Sequence, residues 1–272
     1  MIYLAGIMLL AGAAIAIRAL RRRAHRTRIL ASRLSDEDRA LMLAEVPILT
    51  RLPAPLLARL EGKVQLFRDQ VTFVGAGGLE VDEGMALSIA GQACLLVANT
   101  DAWFTTLRTV IVYPGAFKSK QAHHDGHIIT EEDEIRIGES WAHGPVILSW
   151  QHTEAGARDT DDGHNVVFHE FAHQLDALTG DTDAVPILRN GQSFDTWAEV
   201  FDDAYDRHLA NLDAGRRTSL DPYGATNQQE FFAVAVEAFI ETPHDLHRDA
   251  PEVFAQLQTL LNLDPRTWQH SP

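Results

Sequence analysis

One cysteine in 272 residues, Cys94, forbids an intrachain disulfide and excludes cysteine-built zinc or iron–sulfur sites, so any metal must sit on histidines and carboxylates. Basic residues are scarce as well, and unevenly placed. Arg18, Arg21, Arg22, Arg23, Arg26, Arg28 and Arg33 all precede the first acidic residue, Asp36, and setting these seven aside takes the formal net charge from −15 to −22 for the remainder. A body that acidic repels a phosphate backbone, so direct nucleic-acid binding is not expected. No segment repeats at a period of about 20–50 residues, which sets aside solenoids and propellers. The run Gly75-Ala76-Gly77-Gly78 lacks the Lys-Ser or Lys-Thr that follows a phosphate cradle and reads as a loop.

Charge is absent from Met1 to Ile17, and with Ala19 and Leu20 the stretch approaches the roughly 20 apolar residues that cross a bilayer. Nothing basic precedes it and Arg21-Arg22-Arg23 follows, the reverse of a secretory signal. The expectation is a transmembrane anchor at 1–20 with its N-terminus outside, a basic juxtamembrane linker at 21–34 with Arg26 and Arg28 against the anionic inner leaflet, and a folded domain at 35–268 on the cytoplasmic side of the inner membrane. A cleaved signal and a buried core helix are the alternatives.

The folded part reads as α+β, mainly helical with a small sheet. Ser35-Asp36-Glu37-Asp38 matches a helix-starting capping box, and Leu56, Leu57 and Leu60 resume a helical spacing after Pro47, Pro53 and Pro55. Met85, Ile89, Ala93, Leu96 and Val97 predict an amphipathic helix over 82–98 that buries Cys94. Residues 110–113 and 146–150 are strand candidates, the second with an edge open to an extended peptide. Between them Lys118 to Glu134 is polar, with His123, His124 and His127 close together, and predicts a mobile, solvated loop.

The chemistry concentrates at His169-Glu170-Phe171-Ala172-His173. Phe168, Phe171, Ala172 and Leu175 fall at i, i+3, i+4 and i+7 and form the core face of a helix. His169 and His173 are then one turn apart, where both imidazoles reach one tetrahedral ion. Glu170 is rotated by about 100°, so it misses the ion but reaches a water that the ion activates, the position of a general base in hydrolysis. Asp176, three residues after His173, is placed to orient a ligand imidazole, or else ion-pairs at the helix end.

Two histidines leave a catalytic zinc one protein ligand short. No Gly-x-x-His follows His173, so a glutamate on a second helix is expected. Phe231, Val234, Ala235, Ala238 and Phe239 trace such a helix at 228–241, with Glu230 and Glu237 seven apart on nearly one stripe. Spacing leaves the choice between them open, with Glu237 in a supporting part if Glu230 holds the metal. Asn227-Gln228-Gln229-Glu230 also matches a capping box.

The run His169 to Asp176, followed by Leu220-Asp221-Pro222-Tyr223-Gly224-Ala225-Thr226 and Gln229-Glu230-Phe231-Phe232-Ala233-Val234, resembles the Mlc titration factor A family of gluzincin-type zinc peptidases. Gly78-Leu79-Glu80-Val81, Ala90 to Leu96 and Val112-Tyr113-Pro114 add to the likeness, which covers about residues 40 to 265. It implies one zinc ion on His169, His173 and Glu230, Glu170 as catalytic base, and Tyr223 beside the metal as a donor to an oxyanion. It further implies an aminopeptidase, with a peptide as substrate and an Mlc-like repressor as partner. A membrane-tethered protein that sequesters a regulator and keeps a latent peptidase site is the rival reading.

Overall fold

The computed structural model describes residues 2–125, 128–136, 138–140, 144–180 and 184–268. Among these the elements that matter for the site are helices α2 (Asp36–Glu45), α3 (Ala54–Gln70), α4 (Glu83–Leu95), α6 (Val166–Asp176), α8 (Gln228–Glu241) and α10 (Pro251–Leu261), with α5 (Trp150–Arg158), α7 (Phe194–Asp213) and α9 (Pro243–Asp249) between them. A four-stranded sheet runs in the order β1 (Thr72–Gly75), β2 (Thr109–Tyr113), β6 (Val146–Ser149), β5 (Gly138–Ser140). The first three strands are parallel and β5 is antiparallel to β6. The mainly helical α+β expectation is met.

The helix starts follow from short polar caps. Ser35 accepts the Asp38 N–H at 3.0 Å, Asp82 the Met85 N–H at 2.8 Å and Asn227 the Glu230 N–H at 2.9 Å, each satisfying a backbone donor that has no partner within its helix. The helices at 82–98 and 228–241 appear as expected, but α4 is buried on every side from Ala86 to Leu95 and is a central core helix, not an amphipathic one. Cys94 is buried within it, and burial pushes its thiol pKa up.

Two further expectations are corrected. The polar stretch 118–134 is not a loop: Phe117–Asp125 (β3) and Ile128–Arg136 (β4) pair antiparallel, Phe117 opposite Arg136 and Asp125 opposite Ile128. A two-stranded ribbon outside the main sheet need not bury a face, so its sequence carries no apolar alternation to read. His127 lies outside the described residues, as do the side chains of His123 and His124. The strand expected at 146–150 ends at Ser149, and it has no open edge, since β2 and β5 flank it.

At the N-terminus, Ile2–Leu30 is one continuous helix, α1. Among the described residues no helix is long and apolar enough to cross a membrane, so the anchor at 1–20 is unsupported. The uncharged run before Arg18 would span about 24 Å as helix, short of a hydrocarbon core of about 30 Å. The C-terminal end of α1 packs on α3. Gly62 permits this: a Cβ there would meet the Leu30 backbone, 2.9 Å from its carbonyl carbon. Arg26, expected to face lipid headgroups, lies over the Trp103 ring at 5.5 Å.

The helix carrying the His-Glu pair is fixed by its apolar face. Phe171 is fully buried, its ring 5.0 Å from Phe104 and 5.8 Å from Phe67, so α6 is bolted to α3 and to the chain before β2. Phe171→Ala is expected to cost about 3–5 kcal/mol of unfolding free energy, because it removes an aromatic ring from a close-packed site. Urea denaturation followed by circular dichroism measures it; a loss under 1 kcal/mol would mean that α6 is held by other contacts.

Candidate metal centre

Asn165 begins α6. Its Oδ1 accepts the N–H groups of Val167 and Phe168, both at 3.1 Å, and its own backbone N–H donates to Glu237 Oε2. Helix α8 packs against α6 and presents Glu230, Glu237 and Glu241 towards it.

His169 sits between two of these carboxylates. Its Nδ1 is 2.8 Å from Glu237 Oε1, and its Nε2 is 2.9 Å from Glu230 Oε2 and 3.2 Å from His173 Nε2. His173 Nε2 is 3.3 Å from the same Glu230 oxygen. With Nδ1–H donating to Glu237, a neutral His169 turns the lone pair of Nε2 towards a carboxylate oxygen and a second imidazole nitrogen. Three acceptors facing one another repel unless a positive charge lies among them. Burial alone would lower the His169 pKa, but hydrogen bonds to Glu230 and Glu237, helped by the charges of Glu237 and Glu170, hold it well above its ordinary 6.5. Burial alone would raise Glu230, and its hydrogen bonds to the two histidines take it below the usual carboxylate range.

The same triangle fits a metal. Donors at about 2.0–2.1 Å from a tetrahedral zinc are about 3.3–3.4 Å apart, close to the 2.9, 3.2 and 3.3 Å found here. His169, His173 and Glu230 are the group among the described residues whose donor atoms converge in this way. Their side chains are 14, 19 and 18 % exposed, enough to admit water or one substrate group.

The other expected residues are placed as follows. Glu170 is buried, against β5. Gly138 makes this approach possible, since a Cβ there would come within 2.7 Å of Glu170 Cγ and of Val166 Cγ2, and closer still to the carboxylate. The ring of Tyr223, on the 3₁₀ turn Pro222–Ala225, is 5.9 Å from that of His169 and exposed, not packed under a helix. Glu237 orients His169. Asp176, expected in an orienting part, is fully buried and its Oδ2 accepts the Ala184 N–H at 3.0 Å, tying down the chain after α6.

Sequence reasoning missed Gly138, Asn165 as a hub, and Glu241. Asn165 Nδ2 donates to Gln92 Oε1 at 2.8 Å and to Glu241 Oε1 at 3.0 Å, joining α4, α6 and α8 behind the metal centre. Glu241, four residues after Glu237, was a findable signal, for it continues the same helix stripe. Gly138, in a three-residue strand, gave none.

Two histidines a turn apart, a glutamate from a second helix and a carboxylate behind the first imidazole make the centre of a metallopeptidase-like protein. The chain belongs to the glucose-regulated metallo-peptidase M90 family, whose model matches residues 19–261. It is 37% identical to an uncharacterized protein of Synechocystis sp. over 229 residues, 83% of each chain. It is also 31% identical to Mlc titration factor A of Enterobacter sp. over 77% of each chain, and 28% identical to that of Salmonella typhi over 81% of this chain and 84% of the relative. The resemblance to the Mlc titration factor A family is thereby borne out.

Burial pushes Glu241 up to about 9, with the charges of Asp162 and Glu237 adding to it. The folded state therefore keeps a proton that the unfolded chain releases near its ordinary 4.5, and the stability this gives is present below that pH and lost as pH rises towards 9. Glu241→Gln should flatten the curve: urea midpoints of the variant gain on the wild type steadily from pH 5 to pH 9. Parallel curves would show Glu241 ionised in the fold.

Proposed function

We propose that this protein is a zinc-dependent peptidase, with zinc held by His169, His173 and Glu230 and with Glu170 as general base. The observation that carries the reading is the convergence of the two Nε2 atoms and the Glu230 oxygen on one point beside the buried Glu170 carboxylate. When bound, zinc supplies Lewis acidity, lowering the pKa of water towards about 7 and polarising a carbonyl. Glu170 takes the proton from the attacking water and passes it to the leaving amine. Tyr223, exposed and next to His169, donates a hydrogen bond from its phenol O–H to the developing oxyanion. Glu237 keeps His169 in the tautomer whose Nε2 is free to bind.

The sheet edge that receives a peptide is that of β5, not of β6. Among the described residues β5 is the end strand of its sheet, and its Gly138 backbone passes directly over Glu170. An extended peptide adding to that edge brings its carbonyls to the base. Aminopeptidase action is part of this proposal and rests on the family resemblance. The name of the Enterobacter and Salmonella relatives, Mlc titration factor A, supports a second reading in which this chain also binds a regulator of the Mlc kind.

The full chain, loaded with zinc, is to be assayed on aminoacyl and internally quenched peptides beside Glu170→Gln at equal metal content. Wild-type cleavage with a loss of at least about 100-fold in kcat for the variant is expected. If neither cleaves although both hold zinc, the peptidase reading fails and regulator binding becomes the primary one. Glu237→Ala should weaken zinc about 10–100-fold in competition with a chelator, through the freed imidazole. Unchanged affinity would remove Glu237 from the site.

A further inference from the structure

A large cavity lies away from the candidate metal centre, between the C-terminal end of α1, α3, the chain around Trp103, the segment after Ala184 and the end of α10; its volume is about 860 Å³. Small-molecule sites span about 300–1,000 Å³. Arg26, Arg59, Lys63 and Arg189 line it against a single acidic residue, Asp101, in a chain whose net charge is −15. Elsewhere Arg39, Arg51, Arg68, Arg158, Arg248 and Arg266 each meet a carboxylate. Among the described residues the four cations of the cavity form no such ion pair, though the Asp101 charge acts on Lys63.

Each is instead held in place by neutral groups. Lys63, nearly buried, donates to the Thr100 and Ala102 carbonyls, both at 3.1 Å, and lies 5.3 Å from the Trp103 ring centre. An ammonium has three donors, so one remains. Arg26 lies over the Trp103 ring at 5.5 Å, Arg59 donates to Asn99 Oδ1, and Arg189 donates to the Thr259 carbonyl at 3.2 Å. Backbone carbonyls and an indole fix the direction of these charges without neutralising them. The remaining lining is largely apolar: Leu30, Leu96, Leu175, Leu178, Ile187 and Leu260. Ile187 is 57 % exposed, which water alone does not favour.

We propose that this cavity is a binding site for one anionic amphiphile, with a phosphate or carboxylate head on Arg26, Arg59, Lys63 and Arg189 and an acyl-type body over the leucines. None of the metal-centre residues lines it, so it is a separate site and does not depend on the peptidase reading. It reaches the motif helix only through Leu175, two residues after His173. The head and tail have two sources, a free amphiphile or a bilayer lipid.

The test is calorimetric titration of the full chain with dodecyl phosphate below its micelle concentration, then with inorganic phosphate alone. One saturable site per chain is expected, with inorganic phosphate at least about 100-fold weaker because it lacks the apolar body. The double substitution Arg59→Glu, Arg189→Glu should weaken dodecyl phosphate by about tenfold or more, and the milder Arg59→Gln, Arg189→Gln in the same direction. Arg216→Glu, Arg217→Glu, which imposes the same charge change on an exposed turn elsewhere, should leave it within about twofold. Absence of saturable binding, equal binding of inorganic phosphate, or cavity variants that bind like wild type overturns the proposal. With the site established in this way, phosphatidylglycerol vesicles that displace dodecyl phosphate assign the natural source to a bilayer lipid, and vesicles that do not assign it to a free amphiphile.

Discussion

Glu237 joins the two helices on which the candidate metal centre is built. One of its carboxylate oxygens takes the Nδ1 proton of His169 and the other takes the Asn165 N–H at the first turn of α6. The contact does two things at once. It sets the angle at which α8 meets α6, and it fixes the tautomer that turns the His169 Nε2 lone pair towards Glu230 and His173. Without it the imidazole could donate to Glu230 instead, and the three acceptors that suit a cation would become an ordinary hydrogen-bonded pair. The remaining packing, from the Phe171 ring between Phe67 and Phe104 to the fully buried α4, serves to hold these two helices at that distance.

Carboxylates inside a protein have to lose their charge or find an opposite one. The α8 stripe shows both outcomes along one helix. Glu230 and Glu237 flank His169, and hydrogen bonds to the two histidines hold Glu230 below the usual carboxylate range, whereas burial pushes Glu241, one turn further and hydrogen-bonded to the Asn165 amide, up to about 9. A divalent cation among His169, His173 and Glu230 would balance the Glu230 charge. The end of α8 that favours a charged carboxylate is thus the end beside the two histidines.

The arrangement of His169, Glu170 and His173 was legible because it is local: 3.6 residues per turn fixes which side chains share a face, and the apolar phase of Phe168, Phe171 and Leu175 fixes which face is buried. Local periodicity also located α4 and α8. It did not separate Glu230 from Glu237, because a single imidazole lies between them and two carboxylates about 10 Å apart on one stripe reach it from opposite ends. Nor did it find Gly138 or the β3–β4 ribbon. Those depend on which strand lies beside which helix, and a three-residue strand or a polar two-stranded ribbon leaves no periodic trace in the sequence.

The arginines near the N-terminus show the same limit from the other side. A charge run after an apolar stretch reads as a membrane flank, and composition offers no other partner. In the fold α1 runs unbroken to Leu30, Gly62 lets it close on α3, and Arg26 is carried to Trp103. Lys63 reaches the same indole from α3. Two cations on one ring repel each other, and the pKa of Lys63 is lowered chiefly by burial, with the Arg26 charge adding to it. An anion between them would relieve that repulsion, whereas a solvated helix surface has no reason to collect like charges around a buried tryptophan. The run of basic residues therefore divides: Arg18 to Arg23 remain on the exposed part of α1, and Arg26 belongs to the folded body.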